Sequence, residues 1–272
     1  MTHHYKLGHF EYVRRAGYLT AECLDRLIDI VVPGIITQEI NDFVHEFGIK
    51  HGAVPASLNY RGYPKSCCTS VNHVVCHGIP GPQILREGDI VNIDVAFVLD
   101  GWHGDASRMY AVGNIKPFAE RLIITTYEAM MRGIKAVKPG NTTADIGYAI
   151  ASFAEREHCS VVRDFCGHGT NLIFHDKPNI LHYGSKHSSE EDKLDAVKRG
   201  TAVFLEPGMI FTVEPMINLG RPSVKILQDG WTAITRDRSL SAQFEHTVGV
   251  TEIGVEIFTV SPRGLKGSYP FL

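Results

Sequence analysis

Ile90-Val91-Asn92-Ile93-Asp94-Val95-Ala96-Phe97-Val98-Leu99-Asp100-Gly101-Trp102-His103-Gly104-Asp105-Ala106-Ser107 is the stretch on which the fold turns. Its odd positions up to Leu99 are all large and apolar, while the even face carries Asn92 and Asp94. This is the alternation of a strand with one face on a core. Asp94 therefore points away from the main core face. Asp100-Gly101 is a strong signal for a two-residue hairpin turn, because both central residues of such a turn need positive φ. If Leu99 pairs with Trp102, Asp105 falls opposite Ala96 and Ser107 opposite Asp94. The two acids are then diagonal neighbours on one sheet face, about 7–8 Å apart at the backbone. Carboxylates so placed converge on one cation, bridge two, or lie on the wet face of a solvated hairpin.

The chain repeats itself through these acids. Pro33-Gly34-Ile35-Ile36-Thr37-Gln38-Glu39-Ile40 recurs as Pro139-Gly140-Asn141-Thr142-Thr143-Ala144-Asp145-Ile146. Leu85-Arg86-Glu87-Gly88-Asp89-Ile90-Val91-Asn92-Ile93-Asp94 recurs as Leu205-Glu206-Pro207-Gly208-Met209-Ile210-Phe211-Thr212-Val213-Glu214. Two matches in the same order imply two halves of like construction, about 10–130 and 131–260, each presenting a strand acid to a shared cleft. The spacing exceeds a solenoid unit, so the reading is one domain over 1–272 with internal pseudo-symmetry.

Glu214 aligns with Asp94 in the repeat and shares a strand face with Ile210 and Thr212, whereas Glu206 precedes a Pro-Gly turn and is expected to be exposed. Glu245 alternates with Phe244 and Val248 and should face inward, with His246 on the other face and packed. Four acids beside apolar runs are costly unless a cation is shared. Among fourteen histidines, His168 stands out because Gly167 and Gly169 flank it, as backbone approaching a metal or substrate closely would require. His77, between Cys76 and Gly78 in a loop that continues Pro80-Gly81-Pro82, can aim an imidazole, and His175 follows Phe174. Each histidine alone reads as a packed or surface residue, but with four inward acids the balance reverses.

Elsewhere, helical spacing covers residues 11–30, with Thr37 as the N-cap of a second helix. Further helices are read at 117–137 and 143–158, and strands at 210–217, around Trp231-Thr232-Ala233-Ile234 and at 244–250. Residues 184–200 read as a polar surface insertion or a short solvated helix. At 272 residues, 44% hydrophobic and 21% charged, the chain can bury a large core. Its net charge of −3 gives no footprint for nucleic acid. No apolar stretch can span a bilayer and no signal-peptide core follows Met1, so a cytoplasmic protein is expected. Six cysteines without a Cys-x-x-Cys pair point to reduced thiols.

Asn59-Tyr60-Arg61-Gly62-Tyr63-Pro64-Lys65-Ser66, Cys76-His77-Gly78-Ile79-Pro80, Asn92-Ile93-Asp94-Val95, His103-Gly104-Asp105, Cys166-Gly167-His168-Gly169, Phe174-His175, Thr212-Val213-Glu214-Pro215-Met216 and Ser239-Leu240-Ser241-Ala242-Gln243-Phe244-Glu245-His246-Thr247 closely resemble type I methionine aminopeptidases over nearly the whole chain. The resemblance implies the pita-bread α/β fold, two pseudo-twofold halves whose curved, mainly antiparallel sheet is covered by helices. The short span from Glu214 to Glu245 leaves no room for the helical insertion of type II enzymes. The resemblance also implies two divalent ions (Mn, Fe, Co or Zn), with Asp94 on one, Asp105 and Glu245 bridging, and His168 with Glu214 on the second. Glu214 would accept a proton from the attacking water, His175 would meet the carbonyl oxygen, and His77 would bond near the scissile amide. Tyr60, Tyr63, Cys68, Phe174 and Trp231 would line the methionine pocket. Nascent polypeptide N-termini are the implied partners; the resemblance allows ribosome association and implies a monomer. One departure stands out: Thr170-Asn171-Leu172-Ile173 replaces the family's glycine-containing segment, and these residues are expected to border the cleft rim.

Overall fold

The computed structural model describes residues 3–187 and 189–265. The hairpin forms in the expected register: the strands Ile90–Leu99 and Trp102–Ala111 pair Leu99 with Trp102, Ala96 with Asp105 and Asp94 with Ser107. Asp100 (φ 51°) and Gly101 (φ 84°) both take the left-handed conformation that the tight turn requires.

A nine-stranded antiparallel sheet grows from this hairpin. Its order is Val54–Pro55, Ile90–Leu99, Trp102–Ala111, Glu245–Val250, Ile210–Val213, Gly167–Gly169 and Asp176–Ile180, with Cys68–Val71 also on Ile90–Leu99 and Val255–Ile257 also on Glu245–Val250. One face is covered by helices. Helices α1 (Phe10–Leu27) and α2 (Thr37–Lys50) bury Leu24, Leu27, Ile40 and Val44 against Val91, Ile93, Val95 and Phe97. Helices α3 (Pro117–Lys135) and α4 (Thr143–Arg156) bury Leu122, Ile134, Ile146 and Ile150 against Phe211, Val213 and Val248. Each such side chain removed from water contributes about 1.5–3 kcal/mol. The helices take the odd face of Ile90–Leu99 and of Ile210–Val213, which leaves Asp94 and Thr212 on the other. This is the pita-bread arrangement that the resemblance implies.

The repeated motifs make matching hydrogen bonds. Leu85 N–H donates to Ile35 O and Leu205 N–H to Asn141 O, both at 2.8 Å, while Thr37 N–H meets Gln83 O and Thr143 N–H meets Val203 O, both at 2.9 Å. Gly88 and Gly208 share a φ of 91°.

Two local readings are corrected, the cap of α2 and the strand at 210–217, while the N-cap threonine before residue 143 is borne out. Thr37 is the first residue of α2 rather than its cap; its hydroxyl donates to Gly81 O and accepts from Gly81 N–H, while Glu39 caps the free Ile36 N–H. Thr142 is the N-cap of α4, its N–H donating to Asp145. The strand read at 210–217 breaks at Glu214-Pro215, and Met216–Asn218 joins a separate three-stranded sheet, because Pro215 has no N–H for the ladder. Residues 190–198 form the short solvated helix α5 (Glu190–Lys198), in which Ala196 is buried. No helix lies between Glu214 and Glu245, and no helix among the described residues is long and apolar enough to cross a membrane.

Candidate metal centre

The five ligand candidates come together on the face of the sheet opposite the helices. Asp94 and Asp105 arrive from the hairpin, Glu245 from the neighbouring strand opposite Ser107, Glu214 from the end of Ile210–Val213, and His168 from the middle of Gly167–Gly169. His168 Nε2 stands 3.6 Å from Asp105 Oδ2 and 3.5 Å from Glu214 Oε1. Ligand atoms of Asp105, His168 and Glu245 all lie within 4.8 Å of one another. His168 Nδ1 lies 3.1 Å from the Gly169 carbonyl, which takes the Nδ1 proton and leaves Nε2 as the free lone pair. Burial lowers the His168 pKa to about 4, so the ring is neutral.

The glycines beside His168 have a different origin from the one read in the sequence. A Cβ at Gly167 would meet Thr212 O at 2.4 Å, and one at Gly169 would meet Lys177 O at 2.3 Å. They let two neighbouring strands approach rather than a metal or substrate.

Electrostatics favour a cation. Burial pushes Asp94 up to about 7 and Glu214 up to about 8. Burial, followed by the charges of the other acids, raises Asp105 and Glu245 well above the usual carboxylate range. Among the described residues no lysine or arginine pairs with any of the four.

These groups form the floor of a pocket of about 370 Å³ that also brings together Tyr60, Tyr63, Cys68, His77, Phe174, His175 and Trp231. The Tyr60 ring lies 4.8 Å from His175 and 5.0 Å from Phe174. The Tyr63 hydroxyl donates to the carbonyls of Cys67 and Gly78, which turns its ring toward Trp231 at 5.2 Å. His77 has a left-handed backbone (φ 56°) and stands edge-on to Phe165 at 5.4 Å. His175 lies 4.1 Å from the His168 ring, and partial burial together with that neighbour lowers its pKa. His246 faces away and bonds Thr259, as expected. A larger groove of about 830 Å³ beside α5 has mixed charge, with Lys177, Lys186, Asp195 and Arg199 on its walls, and none of these ligands lines it.

Sequence reading missed the residues that hold Glu214. The Thr212 hydroxyl accepts from His168 N–H at 3.0 Å and donates to Glu214 Oε1 at 2.6 Å. Gln243 Nε2 donates to Glu214 Oε2 at 3.2 Å, and buried His182 Nε2 accepts the Glu214 N–H at 3.1 Å. Thr212 was legible as the i−2 neighbour on the same strand face; Gln243 and His182 come from distant positions. The unusual segment 170–173 is divided: Thr170 and Asn171 are buried, and only Leu172 and Ile173 reach the surface.

A model of metallopeptidase family M24 matches residues 11–252. The chain belongs to that family. Methionine aminopeptidase of Rickettsia prowazekii is 55% identical over 259 residues, covering 95% of this chain and 94% of that protein. Methionine aminopeptidase of Escherichia coli K12 is 46% identical over 252 residues, covering 92% and 90%. The crystal structure of the Rickettsia prowazekii enzyme superposes with a TM-score of 0.89, at 53% identity, over 95% of this chain and all of that one. Within the M24 metallopeptidases, then, this chain is a metallo-aminopeptidase of the methionine aminopeptidase group, and a divalent metal is its cofactor. The donor set fits one: hard carboxylates and a neutral imidazole, buried, converging and without a protein cation.

That charge balance predicts the pH response of the metal-free enzyme. Unfolded carboxylates titrate near 4, whereas Asp94 and Glu214 titrate near 7 and 8 in the metal-free fold. The native state binds more protons in between, so its stability should fall as pH rises from about 4 to about 8. A bound cation reverses the preference. Scanning fluorimetry with and without chelator from pH 5.5 to 8 should show melting temperature falling in the metal-free sample and staying level in the loaded one. Equal slopes would remove the charge argument.

Proposed function

We propose that this chain removes the initiator methionine from polypeptide N-termini whose second residue is small, using two divalent ions. The observation that carries the reading is the meeting of Asp94, Asp105, His168, Glu214 and Glu245 at the floor of an aromatic, thiol-lined pocket. Asp94 would hold one ion, His168 and Glu214 the other, and Asp105 and Glu245 both. When bound, the metal supplies Lewis acidity and a water acidified enough to attack at neutral pH.

The protein's own groups do the rest. Glu214, oriented by Thr212 and Gln243, accepts the proton of the attacking water and passes it to the leaving nitrogen. Neutral His175 at the lip donates a hydrogen bond to the carbonyl oxygen as negative charge develops there. His77 bonds near the scissile amide. Tyr60, Tyr63, Cys68, Phe174 and Trp231 enclose a linear thioether, and sulfur near ring edges is favourable by about 0.3–1.5 kcal/mol each. The reading places a monomer in the cytoplasm, acting on nascent chains.

Peptides beginning Met-Gly, Met-Ala or Met-Ser should be cut, and Met-Lys or Met-Phe spared. Replacing the first residue by Leu should lower kcat/KM by about 10- to 200-fold, the range a shaped apolar pocket supports. Efficient release of Leu, or of any residue before Pro, would overturn the reading.

A further inference from the structure

The catalytic loop is tied to the start of the chain. Asn171 is 2% exposed, and its Oδ1 accepts hydrogen bonds from the Tyr5 hydroxyl at 2.6 Å and the Ile173 N–H at 3.1 Å. At the far end of the segment the Asp176 carboxylate pairs with His3 Nδ1 at 2.5 Å. On the other side, the Asn171 carbonyl accepts from His103 N–H at 2.9 Å and lies 2.7 Å from His103 Nδ1. The His103 ring stacks flat on Phe174, 5.3 Å between centroids and 8° between planes. Phe174 and His175 are adjacent, their rings 4.2 Å apart. The tail is itself anchored: Tyr5 N–H donates to Gly208 O at 2.9 Å, and its ring packs edge-on against Trp102 at 5.3 Å.

We infer that the amino-terminal residues 3–5 act as a strap that positions Phe174 and His175 through Asn171. The physical reason is geometric. Segment 170–176 leaves the sheet after Gly169 and returns at Asp176; the Thr170 N–H still donates to Ile210 O at 3.3 Å, but the ladder with Asp176–Ile180 does not fix residues 171–175. Hydrogen bonds to Asn171 replace the ladder: Tyr5 donates to its side-chain Oδ1, and the hairpin's His103 donates to its backbone carbonyl. Tyr5 and Asn171 are thus positioning residues, acting on the rings that contact the substrate without touching it. A glycine at 171 would have no side chain to receive Tyr5.

The inference rests on the proposed role of His175 at the substrate carbonyl, and the experiment separates the two. Tyr5→Phe keeps the ring packing and removes one hydroxyl. Its kcat on a Met-Ala peptide should fall about three- to tenfold, the effect of one lost hydrogen bond, with KM within about twofold. Metal content should be unchanged. Asn171→Gly should fall at least as far, and the double variant should be no worse than Asn171→Gly alone, because the two share one interaction. In protein carrying labelled histidine, Tyr5→Phe should shift the ring signals of His103 and His175 and leave those of His45 and His51, on α2 and its end, in place. Wild-type kcat in Tyr5→Phe, or additive losses in the double variant, would overturn the strap. If the unsubstituted chain cleaves no Met peptide, the functional reading fails, and unmoved His103 and His175 signals would then overturn the strap by themselves.

Discussion

Asp105→Asn or Glu245→Ala is expected to lower turnover on the order of a thousandfold or more, because several kcal/mol of transition-state stabilisation leave with the ion. Bound metal, measured by elemental analysis, should fall with it. Asp105 sits between His168 and the Asp94 edge of the hairpin, and Glu245 completes the trio whose ligand atoms lie within 4.8 Å. Among the described residues neither acid has a protein cation to neutralise it, as the proposed ligand role requires. A second readout separates this from structural damage. In the metal-free state four acids repel one another in a low-dielectric site, and removing one relieves that cost. Metal-free Asp105→Asn should therefore melt above metal-free wild type, whereas a residue kept for packing would do the opposite. Saturating metal at about a thousand times Kd should stabilise the wild type by about 4 kcal/mol and the variant by much less. Full activity in a metal-stripped sample would end the two-ion reading.

His77→Ala should lower kcat by about 10²- to 10⁴-fold, the span of a lost proton-handling or polarising group, with metal content unchanged. His77 is held in a strained left-handed conformation between Phe165 and Trp231, and burial lowers its pKa, so it is a neutral imidazole at physiological pH. It has no carboxylate partner among the described ion pairs. A group that acts on the bound substrate and not on the ions should change kcat far more than KM. Metal lost along with activity would make His77 part of the metal centre and refute the assignment.

Much of this was legible because local rules sufficed. The hairpin register follows from Asp100-Gly101 and the alternation before it, and all ten pairs from Ile90–Ala111 to Leu99–Trp102 form as read. The helix bounds at Pro117 and Thr143 follow from proline and threonine start signals. What failed depended on partners far along the chain. Thr37 has the chemistry of a cap, but Gly81 competes for its hydroxyl. The glycines around His168 look like room for a ligand until the Thr212 and Lys177 carbonyls fill the space. No local signal assigns His182 to the Glu214 N–H, because that contact spans 32 positions.

The order of the sheet has a consequence for how the molecule is made. Strand Glu245–Val250 is wedged between Trp102–Ala111 and Ile210–Val213 and so occupies the interior of the sheet, although it follows both of those neighbours in the chain. Until it arrives, two inner edges stand open, and bringing 107 and 245 together closes a long loop before any contact repays the entropy. Such high contact order slows folding and leaves unpaired edges prone to association. The same strand carries Glu245, so the proposed ligand set is completed when the sheet closes. A chain lacking that strand should therefore be prone to association and should bind the ion more weakly than the whole.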